Sequence, residues 1–447
     1  MTSPDDLQFE LPFELPFELI DSPLALQSLP DTVAAHAKPG AVVVLTDSAP
    51  KFLAGPQGLA DNLVDLASAL LPGANLVMAG GSGGRVLLDT ETIAAATAAA
   101  VGAGCLVTLG SGTITDLGKL VSHETGVPLV AVQTAASVNG FSDDLSVILR
   151  EGAKRTVAST YPSALVIDHR LLAGAPVALG RAGLGECVGA LVAPTDWLLA
   201  AIVGADPTYD PEIVSSYHSP ASELMALSPG IGARQQTALA GLARLLSLAG
   251  LAMGRAGRTA PLSGTEHAVS HLLDMAAGEE HGLHGAQVGV AAVVAACIWE
   301  IALDRLDVER VAGIPDDAAI AGSLAAALNR LDPEAIDECW ADYRVKPAHW
   351  RTRPPDPEAL DSLPEQASLW LGAPAEMAGV LGAAGAPTRF SELDPPIDAN
   401  TARWAVANAH LLRSRFTILD LVVFTGGDPG QLVDDAIDRA GEVGGGL

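Results

Sequence analysis

Between Ala41 and Gln133 four short apolar runs alternate with helix-like segments, and this alternation constrains the fold of the 447-residue chain most tightly. The runs 41–45, 75–78, 105–108 and 129–132 are rich in Val and Leu. They end at Thr46-Asp47-Ser48, Gly80-Gly81-Ser-Gly-Gly84, Gly110-Ser111-Gly112 and Gln133-Thr134. Helical segments fall between them, as at 58–70 and 92–103. Strands apolar on both faces, separated by helices, predict a parallel sheet of Rossmann type. In such sheets ligands bind beyond the carboxyl ends of the strands, where these small and acidic residues collect.

Beyond about Leu171 strands fade into helices of Ala and Leu, for example 235–256 and 287–303. The expected organisation is an arm and lead-in over 1–40, an α/β dinucleotide-binding domain over 41–170, and an all-α domain over 171–447 that carries metal and substrate. Their cleft would hold the active site. An insertion over 331–371, with Trp340, Trp350, Trp370 and Arg353-Pro-Pro-Asp-Pro357, reads as a loop or cap. At the start, Phe9-Glu-Leu, Phe13-Glu-Leu and Phe17-Glu-Leu are joined by Pro12 and Pro16. Prolines at that spacing forbid a helix and leave an extended arm or an edge strand. Such a segment reads either as an arm that docks on a neighbouring subunit or as a poorly ordered terminus; a homo-oligomer is expected.

Hydrophobic residues are 49% of the chain and aromatics only 4%, so the core is built from Ala, Val, Leu and Ile. A mean hydropathy of +0.33 raises the question of a membrane. The longest candidate, 288–299, is closed by Glu300 and falls short of the roughly 20 residues a span needs. No stretch has the pattern of a signal peptide. A cytoplasmic enzyme without a membrane span is therefore expected. The formal charge of −28 excludes broad nucleic-acid binding, which needs a basic footprint. A small phosphorylated substrate needs only a few local cations. Cys105, Cys187, Cys297 and Cys339 stand singly and read as buried thiols.

Two histidine clusters carry the chemistry. Ser263-Gly-Thr-Glu-His267-Ala-Val-Ser-His271 places two imidazoles four residues apart on one helical face. His284-Gly-Ala-Gln287 opens the next apolar helix. Histidines so placed can converge on one divalent cation, and a catalytic site then needs an anionic ligand. Glu186, in Gly183-Leu-Gly185-Glu186, is the candidate; its other reading is a helix-start charge. On the first domain, Gly110-Ser111-Gly112 lets backbone N–H groups approach a pyrophosphate at a helix N-terminus. Gly80, Gly81 and Thr134 sit at neighbouring strand ends. Asp116 reads as a helix-terminal charge or a ribose contact, and Asp47 as a ribose acceptor or a turn aspartate.

Six motifs in order give the chain a family resemblance. They are Gly110-Ser-Gly-Thr-Ile-Thr-Asp116, Gln133-Thr-Ala-Ala-Ser137-Val-Asn-Gly-Phe141, Pro194-Thr-Asp-Trp197, Ser263-Gly-Thr-Glu-His267, His284-Gly-Ala-Gln287 and Arg413-Ser-Arg-Phe-Thr-Ile-Leu-Asp420. From about Ala41 to Asp420 the chain resembles the sn-glycerol-1-phosphate dehydrogenase family, within the iron-containing alcohol dehydrogenase and dehydroquinate synthase superfamily. The resemblance implies NAD(P) on the first domain, contacted also by Ser137, and zinc or another divalent metal held by Glu186, His267 and His284. It implies that His271 lines the substrate pocket, where its alternative is a satisfied helix histidine. It places Lys154 near the substrate, where a lone lysine otherwise reads as solvated surface. Asn139 stands where the family has an aspartate near the reacting carbon; it can hydrogen-bond but cannot act as a base. Val138, Glu186 and Ala286 also depart from the family's His, Asp and Glu.

The expected activity is interconversion of a small polyol, phosphorylated or not, with its ketone. His271 or a metal-bound water would relay the proton, and Lys154, Arg155, Arg255 or Arg258 would meet a phosphate. Two other readings stand beside it. One is a sugar-phosphate-cyclase-like lyase that uses NAD transiently. The other is a catalytically silent relative acting as a binding subunit.

Overall fold

The computed structural model describes residues 14–55, 58–80, 86–150, 153–218, 221–278, 281–305 and 314–447. Its strands are β1 (Glu18–Ser22), β2 (Ala41–Thr46), β3 (Phe52–Gly55), β4 (Gly58–Asn62), β5 (Asn75–Met78), β6 (Ala103–Gly110), β7 (Leu129–Gln133), β8 (Leu145–Arg150), β9 (Ala153–Ala158) and β10 (Ala164–Asp168). Six of them make a sheet in the order β1-β10-β7-β6-β2-β5, with every pairing parallel. β3–β4 and β8–β9 form separate antiparallel pairs. The fold is the expected one: a parallel α/β sheet first, then a mostly helical remainder.

Alternation along the strands divides the core between the two faces of the sheet. Val44, Val107 and Val130 pack on one face with Leu26, Leu29 and Leu63. Val43, Leu45, Leu106 and Leu129 pack on the other with Ile114 and Leu117. β6 is buried along its whole length, as a central strand covered on both sides must be. The third Phe-Glu-Leu unit runs into β1, a sheet-edge strand, so the extended reading holds for the described part of the arm. Phe9 and Phe13 lie outside the described residues.

Several boundaries differ from expectation for local reasons. Residues 58–62 form β4, and the helix begins only at Leu63–Leu70, where the Asn62 side chain accepts from the N–H groups of Val64 and Asp65. Asp89 caps the helix Thr90–Ala100 in the same way. That helix stops before Gly102, whose φ is +76°, and Ala103 enters β6. The 331–371 insertion is not a loop: it folds into the short helices Pro333–Tyr343, Val345–Thr352, Pro357–Asp361 and Leu363–Ala367. Trp350 is buried and stacks on Phe416 at 5.8 Å, while Trp370 donates to the Tyr209 hydroxyl at 2.8 Å.

The chain divides into two compact units, 1–184 with 227–254 and 185–226 with 255–447. The first takes in most of the helix Gln236–Ala256, expected from sequence order to belong with the helical half. Its glycines explain this. A Cβ on Gly250 would strike the Asn139 carbonyl, and one on Gly254 the Tyr161 hydroxyl, so bare backbone is what lets the helix lie against the segment following β7.

The runs Val177–Ile202, Gln236–Ala256 and His284–Arg305 are long and apolar enough to cross a membrane by length and composition. This corrects the expectation drawn from 288–299, because the helix continues on both sides of that stretch. Between 78% and 89% of their apolar windows is buried within the protein, which accounts for their hydropathy by internal packing. All four cysteines are free and buried.

Candidate metal and nucleotide sites

His267 and His271 lie one turn apart on the helix Thr265–Ala277, and His284 is the first residue of His284–Arg305. Glu186 lies near the end of the helix Val177–Gly189, not at a helix start. A carboxylate there faces the negative end of the helix dipole, so its charge must be met by other groups. Glycine brings them. A Cβ on Gly185 would collide with the Gly285 carbonyl, and one on Gly289 would stand 2.9 Å from the Gly185 Cα. Bare backbone at these positions lets two helices touch and sets Glu186 beside His284.

One donor atom from each of Glu186, His267 and His284 lies within 4.8 Å of the others. Glu186 Oε2 is 3.4 Å from His267 Nε2, and Glu186 Oε1 is 3.7 Å from His284 Nε2. The opposite ring nitrogens are engaged elsewhere. His267 Nδ1 donates to Glu266 Oε1 at 2.7 Å, an oxygen that also accepts from the Gly264 N–H. The Ser270 hydroxyl donates to Gln287 Oε1 at 2.6 Å, so at 2.8 Å from His284 Nδ1 it is the acceptor. With Nδ1 engaged, both imidazoles present Nε2 to Glu186, the nitrogen that becomes the lone-pair donor once a cation displaces its proton, the arrangement that outer partners impose on metal-binding histidines.

The Glu186 carboxyl is opposed by burial, but His284 and His267 outweigh this and hold it below the usual carboxylate range. Burial likewise opposes charge on His267, yet Glu186 and Glu266 push its pKa up to about 9. Glu186 Oε1 is buried and accepts no hydrogen bond among the described residues. A buried carboxylate oxygen without a donor, facing two oriented imidazoles, fits a divalent cation of the zinc type. His271 stands close by, its ring centroid 5.2 Å from that of His284 and 6.4 Å from that of His267.

The sequence reading did not name the groups that hold this cluster in place. Glu266, Ser270 and Gln287 supply the outer contacts. Asp196, fully buried, uses Oδ2 to accept from the Thr265 N–H and hydroxyl at 2.7 and 2.8 Å, and Oδ1 to accept from the Ile418 N–H at 3.0 Å. It thus caps the Thr265–Ala277 helix from another element. Burial, then the Glu266 charge, push its pKa up to about 7. The available signal was the Pro194–Trp197 motif, which contains Asp196.

In the first unit the registers align the strand ends: Thr46 opposite Met78 and Leu109, and Gly110 opposite Gln133. β2 has β5 on one side and β6 on the other, so the winding reverses there, where open α/β sheets take ligands. Asp47, Gly80, Gly110–Gly112 and Thr134 follow these ends. The helix Gly112–Thr125 starts with no acidic residue in its first turn and no side-chain cap from Ser111. Gly110 and Gly112 are required by packing, since Cβ atoms there would strike Ile114 and Val138 Cγ2.

The other nucleotide candidates are placed as follows. Thr134 and Ser137 are buried in the segment after β7, the Thr134 N–H donating to the Gly110 carbonyl at 3.3 Å. Asp47 accepts from the Ala49 N–H at 2.8 Å and pairs with Lys51 at 2.6 Å. Asp116 is bound to Lys119 at 3.0 Å and to the Val147 N–H at 3.1 Å, so its carboxylate is tied to β8. Asn139 is half-buried. Lys154 belongs to β9 opposite Leu149, but its side chain, like all of Gly81, lies outside the described residues. Arg258 is paired with Asp206 at 2.6 Å.

A family model described as iron-containing alcohol dehydrogenase matches residues 78–176. A curated glycerol-1-phosphate dehydrogenase [NAD(P)+] from Bacillus licheniformis is 28% identical over 353 residues, 78% of this chain and 75% of that protein. One of the same name from Thermococcus kodakarensis is 32% identical over 241 residues, 53% of this chain and 65% of that protein. In two further relatives of that name the match spans about half their length, 49% and 48%. Among solved structures, a probable glycerol dehydrogenase from Sinorhizobium meliloti superposes with a TM-score of 0.59 at 16% identity, covering 96% of this chain and 98% of its own.

Proposed function

We propose that this chain is an NAD(P)-dependent dehydrogenase of the iron-containing alcohol dehydrogenase family, interconverting a glycerol-1-phosphate-like polyol and its ketone. Glu186, His267 and His284 would hold a divalent cation, zinc by their chemistry. The observation that supports this is the convergence of two oriented Nε2 atoms on the buried Glu186 carboxylate, one facing each oxygen, with Oε1 accepting no hydrogen bond among the described residues. When bound, the cation supplies a Lewis acid for the oxygen on the reacting carbon, and NAD(P) supplies the hydride acceptor.

The chain's own residues do the rest. Gly80, the Gly110–Gly112 turn and the first turn of Gly112–Thr125 receive the dinucleotide, with Thr134 and Ser137 beside them and Gly81 in the same loop as Gly80. Asp47 and Asp116 act through the ordering of that strand edge. His271 takes the hydroxyl proton during oxidation and returns it during reduction. Asn139 hydrogen-bonds to substrate without taking a proton, and Lys154 contributes positive charge near it.

Purified protein supplied with zinc should form NAD(P)H from sn-glycerol 1-phosphate. Glu186→Gln should lower turnover at least about 100-fold, because a Lewis-acid cation contributes several kcal/mol. Substrate loss without net NAD(P)H would point to a cyclase-like lyase. A protein that binds neither zinc nor dinucleotide would overturn the reading.

A further inference from the structure

Lys346 lies in the second of the insertion's short helices, Val345–Thr352, and is 2% exposed. Among the described residues of the helical unit it is the only lysine or arginine that is buried. A buried ammonium group persists where acceptors replace its water and a counter-charge stands beside it. Its Nζ donates to Asp420 Oδ2 at 2.8 Å and to the His410 carbonyl at 2.7 Å. Burial pulls its pKa down, and the charges of Asp420 and then Asp196 oppose that fall. An apolar residue would pack the insertion with no charge to desolvate, so the ion pair calls for a role other than packing.

The contacts beyond Lys346 run to the helix that bears His267. Asp420 Oδ2 also accepts from the Thr417 N–H at 2.8 Å and the Thr417 hydroxyl at 3.0 Å, fixing the start of Ile418–Phe424. The next N–H, that of Ile418, donates to Asp196 Oδ1 at 3.0 Å. Asp196 Oδ2 in turn accepts from the N–H and hydroxyl of Thr265, the first residue of Thr265–Ala277. A second route is shorter: the Ala409–Leu412 turn, whose His410 carbonyl Lys346 binds, packs on that same helix. Asp196, Glu266 and Asp420 are all buried. A Cβ on Gly264 would stand 2.7 Å from Asp196 Oδ2 and 2.9 Å from Glu266 Oε2, so two of these carboxylates close on the turn before the helix. Like charges buried so near one another push apart, and Lys346 is the buried cation that acts on both Asp420 and Asp196. We propose that Lys346 is a positioning residue for the metal site, carrying the insertion's hold through Asp420 and Asp196 to the first turn of the helix bearing His267 and His271. The consequence for metal rests on the reading of Glu186, His267 and His284 as ligands; the link from insertion to helix does not.

The test compares the full chain with Lys346→Met, Lys346→Gln and Leu360→Ala. Leu360 is buried in the same insertion but makes none of these contacts, so its alanine variant loses packing and keeps the charge. Two quantities are measured: amide hydrogen exchange in peptides spanning 263–268 and 416–420, relative to Pro429–Glu442 of the same unit, and zinc affinity by competition with a chelator. Lys346→Met should speed exchange in both peptides about 10-fold, the order expected for losing a charged hydrogen bond, while Leu360→Ala leaves them at the parent's relative rate. Zinc should bind about 3- to 10-fold more weakly, less than for groups that touch a ligand directly. The sign is decisive, because removing a cation would by itself draw Zn2+ in more tightly. Lys346→Gln keeps donors without charge, so it should shift both quantities the same way by less; it carries the test if the methionine variant does not fold. Parent-like exchange in the folded Lys346 variants overturns the proposal, as does equal acceleration in Leu360→Ala. Zinc affinity that is unchanged or tighter overturns it too. A parent that binds no zinc removes the metal reading, and exchange that still follows Lys346 there would uphold the link.

Discussion

Glu266 decides which nitrogen of His267 faces Glu186. Its Oε1 accepts from His267 Nδ1 and from the Gly264 N–H, so one carboxylate oxygen ties both the ring and the turn before the helix. Ser270 and Gln287 do the same for His284 with neutral groups. Charged acceptors orient a ring more strongly than neutral ones. Glu266→Ala should therefore weaken zinc binding by about 10- to 100-fold, with Ser270→Ala at the low end of that range. Competition against a chromogenic chelator measures both, and equal affinity in the parent and Glu266→Ala would refute the orienting role. The sequence showed His267, His284 and Glu186 because imidazoles at helical spacing and a carboxylate after glycines stand out singly. It did not show Glu266, although adjacent, because neighbours on a helix ordinarily point apart. Only the first-turn position of Glu266 lets it turn back to both Gly264 and His267.

Contact between the helices Val177–Gly189 and His284–Arg305 depends on residues with no side chain. The Gly185 position faces backbone, the Gly285 carbonyl, and backbone cannot rotate away as a flexible side chain can. Alanine in a helix gains about 1 kcal/mol in propensity over glycine. Overpacking costs about 1–3 kcal/mol, more where both surfaces are rigid. The clash wins, and Gly185→Ala should lower stability by about 1–2 kcal/mol, read as a reduced denaturation midpoint. It should also weaken zinc binding, since Glu186 is the next residue along the same helix. A variant as stable as the parent would show that the two helices can separate freely. At this scale legibility was uneven. The parallel strands were readable because burial on both faces leaves unbroken apolar runs. The β8–β9 hairpin was not, since Leu145–Arg150 and Ala153–Ala158 are half-exposed in places and carry charges. The insertion misled because Arg353-Pro-Pro-Asp-Pro357 dominates its appearance, whereas its helices are fixed by distant partners. Lys346, buried, donates to Asp420 at 2.8 Å and to the His410 carbonyl at 2.7 Å, a pairing that no local pattern announces.

At the scale of the whole molecule, sequence order and structural unit part company at Gln236–Ala256. That helix lies far along the chain, among segments of the helical unit, yet most of it packs within the unit of the parallel sheet. Like His284–Arg305 it is long and apolar, so composition could not say which unit it joins. Gly250 and Gly254 say it, through the close approach of Asn139 and Tyr161. The proposed ligands then fall in different units: the dinucleotide residues in the first, the zinc set wholly in the second. A ligand that binds only the folded form slows local opening by an amount that grows with its saturation, about 2.7 kcal/mol at one hundred times its dissociation constant. Amide hydrogen exchange should separate the two. Zinc should slow exchange at the starts of Thr265–Ala277 and His284–Arg305, and NAD+ in Gly112–Thr125 and the segment after β7. Gln236–Ala256 should follow NAD+, because its glycine face meets the Asn139 segment that follows the strand edge. If zinc alone protected that helix, its assignment to the sheet unit would be wrong, and the division of labour between the units with it.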